Sequence, residues 1–303
     1  MPGSRRPRVN EIRTSGAAGP LSQDTLSLPA PAKLNRMLHI TGRRADGYHE
    51  LQTLFQFLDV DDTLHFTPRN DAAIRLTPAI AGVAAEDNLV VRAAGLLQAE
   101  TGCRRGVDIH LEKRLPMGGG LGGGSSNAAT TLLALNRLWA LGLDQERLAA
   151  LGLTLGADVP VFVRGHAAWA EGIGERLTPV TLDTPYFVVI HPGVSVATAR
   201  VFQAPELTRD TAAIRLSRAL EGGASCWKND CETTVRRLYP QVDEAIGWLA
   251  QRAPTMLTGT GACLFGSLTN VEEAASIARQ VDPRWHAFTA RGVNVSPLHK
   301  ALG

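Results

Sequence analysis

The sequence predicts an α+β protein in two lobes with its active site in the cleft between them, and three observations lead there. Strand-like and helical stretches are mixed along the 303 residues, without the regular strand–helix alternation of a doubly wound parallel sheet. A glycine-rich segment, residues 118–124, sits between a strand pattern and a strongly amphipathic helix pattern. Composition is that of a globular chain, 44% hydrophobic and 20% charged, with ample apolar surface for one large domain or two modest ones. The expected division is a disordered leader over residues 1–27, a first lobe over 28–180 and a second over 181–303.

Taken in order, Pro29 and Pro31 hold the start of the first lobe extended, because the residue before a proline avoids the helical region. A strand over 33–40 places Lys33, Asn35, Met37 and His39 on one face and Leu34, Arg36, Leu38 and Ile40 on the other. A polar loop over 41–49 follows. Strand-like runs come next at 51–58, 63–67 and 73–76, separated by Asp, Asn and Pro. Residues 88–100 read as a helix closed by Gly102, and 107–111 as a strand. A helix over 125–140 buries Ala128, Leu132, Leu135 and Trp139, and Asp144 caps another that ends near Gly156. Strands are expected at 159–163, 186–191, 262–267 and 285–289, and helices at 208–220, 230–238, 242–252 and 271–280.

Bulk properties narrow the function. A net charge of +2 gives no support to a nucleic-acid or anionic-membrane surface, and no apolar run reaches transmembrane length. The leader carries Arg5, Arg6, Arg8 and Arg13 but no apolar secretory core. Cys103, Cys226, Cys231 and Cys263 show no metal-ligand spacing and read as reduced thiols of a cytoplasmic protein. The histidines show none either, so no metal-ligating residue is assigned.

Most informative is the run Pro116, Met117, Gly118, Gly119, Gly120, Leu121, Gly122, Gly123, Gly124, Ser125, Ser126, Asn127. Six glycines in seven positions lose much backbone entropy on folding, a cost that points to a constrained role. Between a strand and a helix they aim free N–H groups and the positive end of a helix dipole at one point, which is an anion site. The alternatives are a plain linker, a Walker A loop, which lacks its lysine here, and a dinucleotide fingerprint on Gly118, Gly120 and Gly123. For the last, Asp144 stands where a ribose contact belongs, but it starts a helix instead of ending a strand.

This run resembles the phosphate loop of the GHMP kinases. Segments 31–35 (Pro-Ala-Lys-Leu-Asn), 44–49 (Arg-Ala-Asp-Gly-Tyr-His), 156–160 (Gly-Ala-Asp-Val-Pro), 191–195 (His-Pro-Gly-Val-Ser) and 259–263 (Gly-Thr-Gly-Ala-Cys) resemble one branch of that family, and the likeness runs from about residue 27 to the C-terminus. The resemblance implies two α+β lobes and transfer of the γ-phosphoryl group of ATP. The implied acceptor is the 2-hydroxyl of 4-diphosphocytidyl-2-C-methyl-D-erythritol, in the non-mevalonate route to isoprenoid precursors. It also implies Mg²⁺, with no residue here assigned as its direct ligand. Small molecules are thus the expected partners of a monomer or homodimer.

By the same resemblance Asp158 is the catalytic carboxylate and Lys33 the catalytic cation. In isolation they would read as a turn or cap aspartate and a solvated strand lysine. Asn35 is expected to bond the acceptor. Tyr48 and His49 are expected at the cytosine, with Phe202 on its other face and Thr198 near the substrate phosphates. Asn88 and Lys113 match positions near the adenosine of ATP, and residues 258–263 a loop that packs on the phosphate loop. Another GHMP acceptor and a catalytically silent nucleotide sensor remain as alternatives. Arg36 departs from the usual apolar run and leaves the packing of its strand face open.

Overall fold

The computed structural model describes residues 25–303. The expected leader lies, through residue 24, outside the described residues, and the first strand already begins at Leu26.

The chain opens with a long antiparallel hairpin. β1 (Leu26–Arg43) pairs with β2 (His49–Arg69) from Leu26 opposite Phe66 to Arg43 opposite His49, with irregularities at Pro31/Lys33, Asn35/Met37 and Ile40/Gly42. The two runs expected at 51–58 and 63–67 are therefore one strand. Asp59 to Asp62 do not break it because Asp62 keeps the inward phase of Leu64 and Phe66, all three fully buried. The strand expected at 33–40 is likewise part of a longer one, and its irregularities break the simple alternation of faces.

β3 (Ile74–Thr77) runs parallel to β4 (Gly106–Glu112), which pairs with β2. Between them lies α1 (Leu89–Thr101), capped by the Asn88 side chain and closed by left-handed Gly102. α2 (Gly123–Leu138), α3 (Gln145–Leu155) and α4 (Val159–Arg164) cover the same face. α4 replaces the strand expected at 159–163. Its β-branched run suggested a strand, but Pro160 at the first turn and Gly165 at the end bound one short helix, five of whose residues are buried. β5 (Ala168–Gly172) and β6 (Arg176–Pro179) form a hairpin on the β2 edge.

The sheet continues through β10 (His286–Val293), β7 (Tyr186–His191), β9 (Leu264–Leu268) and β8 (Thr255–Leu257), giving the order β3-β4-β2-β10-β7-β9-β8. α5 (Thr198–Gln203), α6 (Leu216–Gly222), α7 (Glu232–Leu238), α8 (Pro240–Ala250) and α9 (Val271–Arg279) belong to this half. The helix expected at 208–220 forms only over its last turns. Residues 208–215 run irregularly, and Thr211 donates its N–H to the Ile40 carbonyl. α10 (Pro297–Leu302) returns to the first half, against β1, and Leu298 joins that core.

One apolar core lies between α1–α4 and the first strands; another lies between α7–α9 and β7–β9. Leu38 and Ile40, at the far end of β1, belong to the second core, so the opening strand runs through both. Arg36 resolves the packing question of its face. Its guanidinium lies over Phe187 and Trp227, at 5.2 and 4.7 Å from the ring centroids, bonds Gln56 Oε1 at 2.6 Å and pairs with Asp183. A planar cation between rings fills an apolar site while its donors reach the rim.

Candidate active site

The glycine run follows β4 and ends as α2. Gly120 and Gly122 take left-handed conformations, φ 74° and 73°. A β-carbon at Gly120 would stand 2.3 Å from the Thr258 carbonyl oxygen, and one at Gly122 would stand 2.7 Å from the Phe162 ring. Both conformation and space therefore require glycine. The first intrahelical bond of α2 runs from the Ser126 N–H to the Gly122 carbonyl. The N–H groups of the three preceding residues have no helical acceptor and carry the positive end of a 16-residue helix.

Backbone bonds fix this loop from two sides. Lys33 donates its N–H to the Leu121 carbonyl, while Ala262 and Cys263 donate theirs to the carbonyls of Gly118 and Gly119 at 3.1 and 3.0 Å. The loop at 258–263 thus packs on the phosphate loop.

A cavity of about 560 Å³ opens here. Residues 116–125 line it without a break, together with Lys33, Asn35, Asn88, Lys113, Asp158, Thr198 and Phe202. Three residues named from the sequence are outside its wall. Ser126 is fully buried within the first turn of α2, Tyr48 is 61% exposed at the β1–β2 turn, and His49 stacks against Phe202.

At the centre, Lys33 Nζ lies 3.2 Å from Asp158 Oδ2, 2.6 Å from Asn35 Oδ1 and 3.1 Å from the Gly120 carbonyl oxygen. Its side chain is 3% exposed, so the ammonium is held by these oxygens and by the Phe55 face, 5.3 Å away. Asp158 precedes α4 but makes no capping bond, leaving its carboxylate for Lys33 and the cavity. Asn35 is oriented in turn: Nδ2 donates to Thr53 Oγ1 at 2.9 Å, and the backbone N–H donates to Thr258 Oγ1 at 3.0 Å. An ammonium beside a half-exposed carboxylate, both facing a pocket of free N–H groups, can accept an alcohol proton and stabilise charge on a moving phosphoryl group.

Asn88 and Lys113 carry structural bonds as well. Asn88 Oδ1 accepts the Val90 N–H as the α1 cap. Lys113 Nζ bonds Asp62 Oδ2 at 2.6 Å and lies 3.2 Å from where a β-carbon of Gly123 would be, over the phosphate loop. Thr198 Oγ1 lies 2.9 Å from Thr260 Oγ1.

Sequence reasoning missed two groups. Asp62 is fully buried, and its carboxylate accepts from the N–H groups of Arg114 and Leu115, from Lys113 Nζ and from Asn127 Nδ2, joining both ends of the glycine run. Arg209 donates to His49 Nε2 at 3.1 Å, while His49 stacks on Phe202 with centroids 4.9 Å apart. Burial first, then the nearby Arg209 and Arg43 cations, lower the His49 pKa from its usual value.

Residues 88–166 match the family model for the GHMP kinase N-terminal domain, and 210–287 the model for the GHMP kinase C-terminal domain. The chain belongs to the GHMP kinases. Within that family, it is 71% identical over 281 residues to a 4-diphosphocytidyl-2-C-methyl-D-erythritol kinase of Chromohalobacter salexigens, covering 92% of this chain and 94% of the relative. One of the same name from Pseudomonas paraeruginosa is 58% identical, with 91% and 97% covered. A crystal structure of 4-(cytidine 5'-diphospho)-2C-methyl-D-erythritol kinase superposes with a TM-score of 0.77 at 36% identity, covering 88% of this chain and 99% of that one. For a GHMP kinase, ATP is the phosphoryl donor. Among the described residues, no helix is long and apolar enough to cross a membrane.

Proposed function

We propose that this GHMP kinase transfers the γ-phosphoryl group of ATP to the 2-hydroxyl of 4-diphosphocytidyl-2-C-methyl-D-erythritol, giving the 2-phosphate and ADP. The relatives at 58 and 71% identity bear that enzyme's name. The observation that carries the chemistry is the Lys33–Asp158 pair, 3.2 Å apart and open to the cavity under the glycine loop.

The α2 N-terminus and its free N–H groups hold the triphosphate. Asp158 accepts the acceptor's proton as its oxygen attacks phosphorus, and Lys33 balances charge on the carboxylate and on the transferring group. Asn35, its amide oriented by Lys33 and Thr53, bonds the acceptor. Thr198, beside Thr260, reaches the diphosphate, and Tyr48, His49 and Phe202 take the cytosine. Asn88 and Lys113 border the nucleotide. Mg²⁺ would come with ATP and neutralise phosphate charge, and Ser125 and Asp158, two of the hard oxygen donors in the wall, would be placed to hold it. Dependence on ATP supports a cytoplasmic location.

Purified protein with Mg·ATP and the cytidyl acceptor should release one ADP per product, with one phosphate added on the methylerythritol. Equal rates with homoserine or mevalonate would overturn the acceptor assignment. ATP binding without turnover on any of these alcohols would favour a sensor.

A further inference from the structure

All three nitrogens of the Arg209 guanidinium are engaged, and its partners come from both halves of the molecule. Nε donates to His49 Nε2 at 3.1 Å. Nη1 donates to the Leu207 carbonyl at 2.9 Å and reaches that of Pro205 at 3.5 Å. Nη2 donates to the carbonyls of Phe202 and Ala204, at 2.9 and 2.7 Å. Phe202 sits in the last turn of α5 and Ala204 just follows it, so both carbonyls lie at the negative end of that helix, where a cation belongs. His49, by contrast, heads β2 in the first half. One side chain therefore sets the backbone that carries Phe202 and the ring stacked against it.

The bond to His49 has a chemical consequence. A guanidinium can only donate, so His49 Nε2 must accept, and in the neutral ring the proton then lies on Nδ1. Burial and the flanking cations favour that neutral ring. His49 thus offers a hydrogen-bond donor at Nδ1.

We propose that Arg209 is a positioning residue that sets the preference for cytosine over uracil, acting through the tautomer of His49. The proposal rests on the acceptor reading given above. Cytosine presents an unprotonated N3, which accepts from an Nδ1–H. Uracil presents N3–H, so two donors meet and both lose a partner as they desolvate. Without Arg209 the ring is free to exchange tautomers and present an Nδ1 lone pair that suits uracil. The same loss frees the α5 C-terminus and weakens the placement of Phe202.

The test compares kcat/KM for the cytidine- and uridine-diphosphate forms of the methylerythritol acceptor in wild type, Arg209→Met and Arg209→Lys. Arg209→Met is expected to lower the cytidine-to-uridine ratio about tenfold, the equivalent of one hydrogen-bond match. The KM for ATP should stay within about twofold, since Arg209 does not line the cavity beside the glycine run. Arg209→Lys, which keeps a donor, should recover part of the ratio. Nitrogen-15 NMR of histidine-labelled protein, assigned with His49→Asn, should show Nδ1 protonated in wild type and a tautomer mixture in Arg209→Met. A wild type active on the cytidyl acceptor with an unchanged ratio in Arg209→Met would overturn this inference alone. Protonation of Nε2 in the wild type would overturn it even if Arg209→Met failed to fold. A wild type inactive on the cytidyl acceptor would instead remove the acceptor reading on which it rests.

Discussion

The two ends of the active site are built differently. At the phosphate end the work is done by backbone and by buried charge. The glycine run is pinned through the carbonyls of Gly118, Gly119 and Leu121 by N–H groups of Ala262, Cys263 and Lys33, and the fully buried Asp62 carboxylate takes four donors. At the opposite end the groups are side chains on separate elements: Tyr48 on an exposed turn, and His49 at the head of β2 and Phe202 on α5, the last two joined by Arg209. The difference teaches a division of labour. On the proposed function, the end built on the glycine run serves the chemical step and the other end selects the acceptor, so changes there should leave the fold intact.

That division is sharpest in what each substitution should cost. Asp158→Asn removes the proton acceptor while keeping shape, and should lower kcat by about a thousandfold with ATP affinity nearly intact, read by steady-state kinetics and nucleotide titration. Lys33→Met should lower kcat about a hundredfold, as loss of one charge-stabilising donor does elsewhere. Asp62→Ala leaves an ammonium, an amide and two backbone N–H groups without their acceptor. It should cost roughly 3–5 kcal/mol of stability in urea unfolding, the range for breaking a buried ion pair. A variant as stable as wild type would show that the phosphate end is not held as described.

Phe202→Ala should act on KM for the acceptor, raising it about tenfold or more, as loss of a stacking ring under a base does, with kcat retained at saturation. A fall in kcat instead would blur the two ends into one. The smallest effect concerns pH. Burial is the first cause lowering the pKa of His39, His49, His191 and His299 below the ordinary value of 6.5. The unfolded chain therefore takes up protons first as pH falls. Stability should decline as pH drops through about 6.5 and be lost more fully below the folded-state values. The urea midpoint at about pH 7.5 against that at about pH 5.5 checks the sign.

The same contrast explains what was legible in the sequence. The phosphate loop, α1, α2 and α3 announce themselves locally through glycine spacing, the caps Asn88 and Asp144, and helical periodicity. Lys33 and Asn35 share a strand face because they are two apart, and the structure joins them at 2.6 Å. Groups whose partners are distant in sequence were not legible. Asp62 looked like turn punctuation, although its phase with Leu64 and Phe66 was a signal that it points inward. Arg209 carries no local pattern at all, since His49 lies 160 positions away. α4 was misread because a Val-rich run of six residues has no room to show a helical period, and only its Pro160 and Gly165 frame it.

Rapid-quench phosphoryl transfer over a range of acceptor concentrations, with saturating Mg·ATP, tests the division most directly when wild type, Asp158→Asn and Phe202→Ala are run side by side. The expected result is a transfer rate lost in Asp158→Asn at every concentration and restored in Phe202→Ala at high acceptor. Transfer by Asp158→Asn at the wild-type rate would contradict the account, because the carboxylate beside Lys33 would then have no part in the reaction.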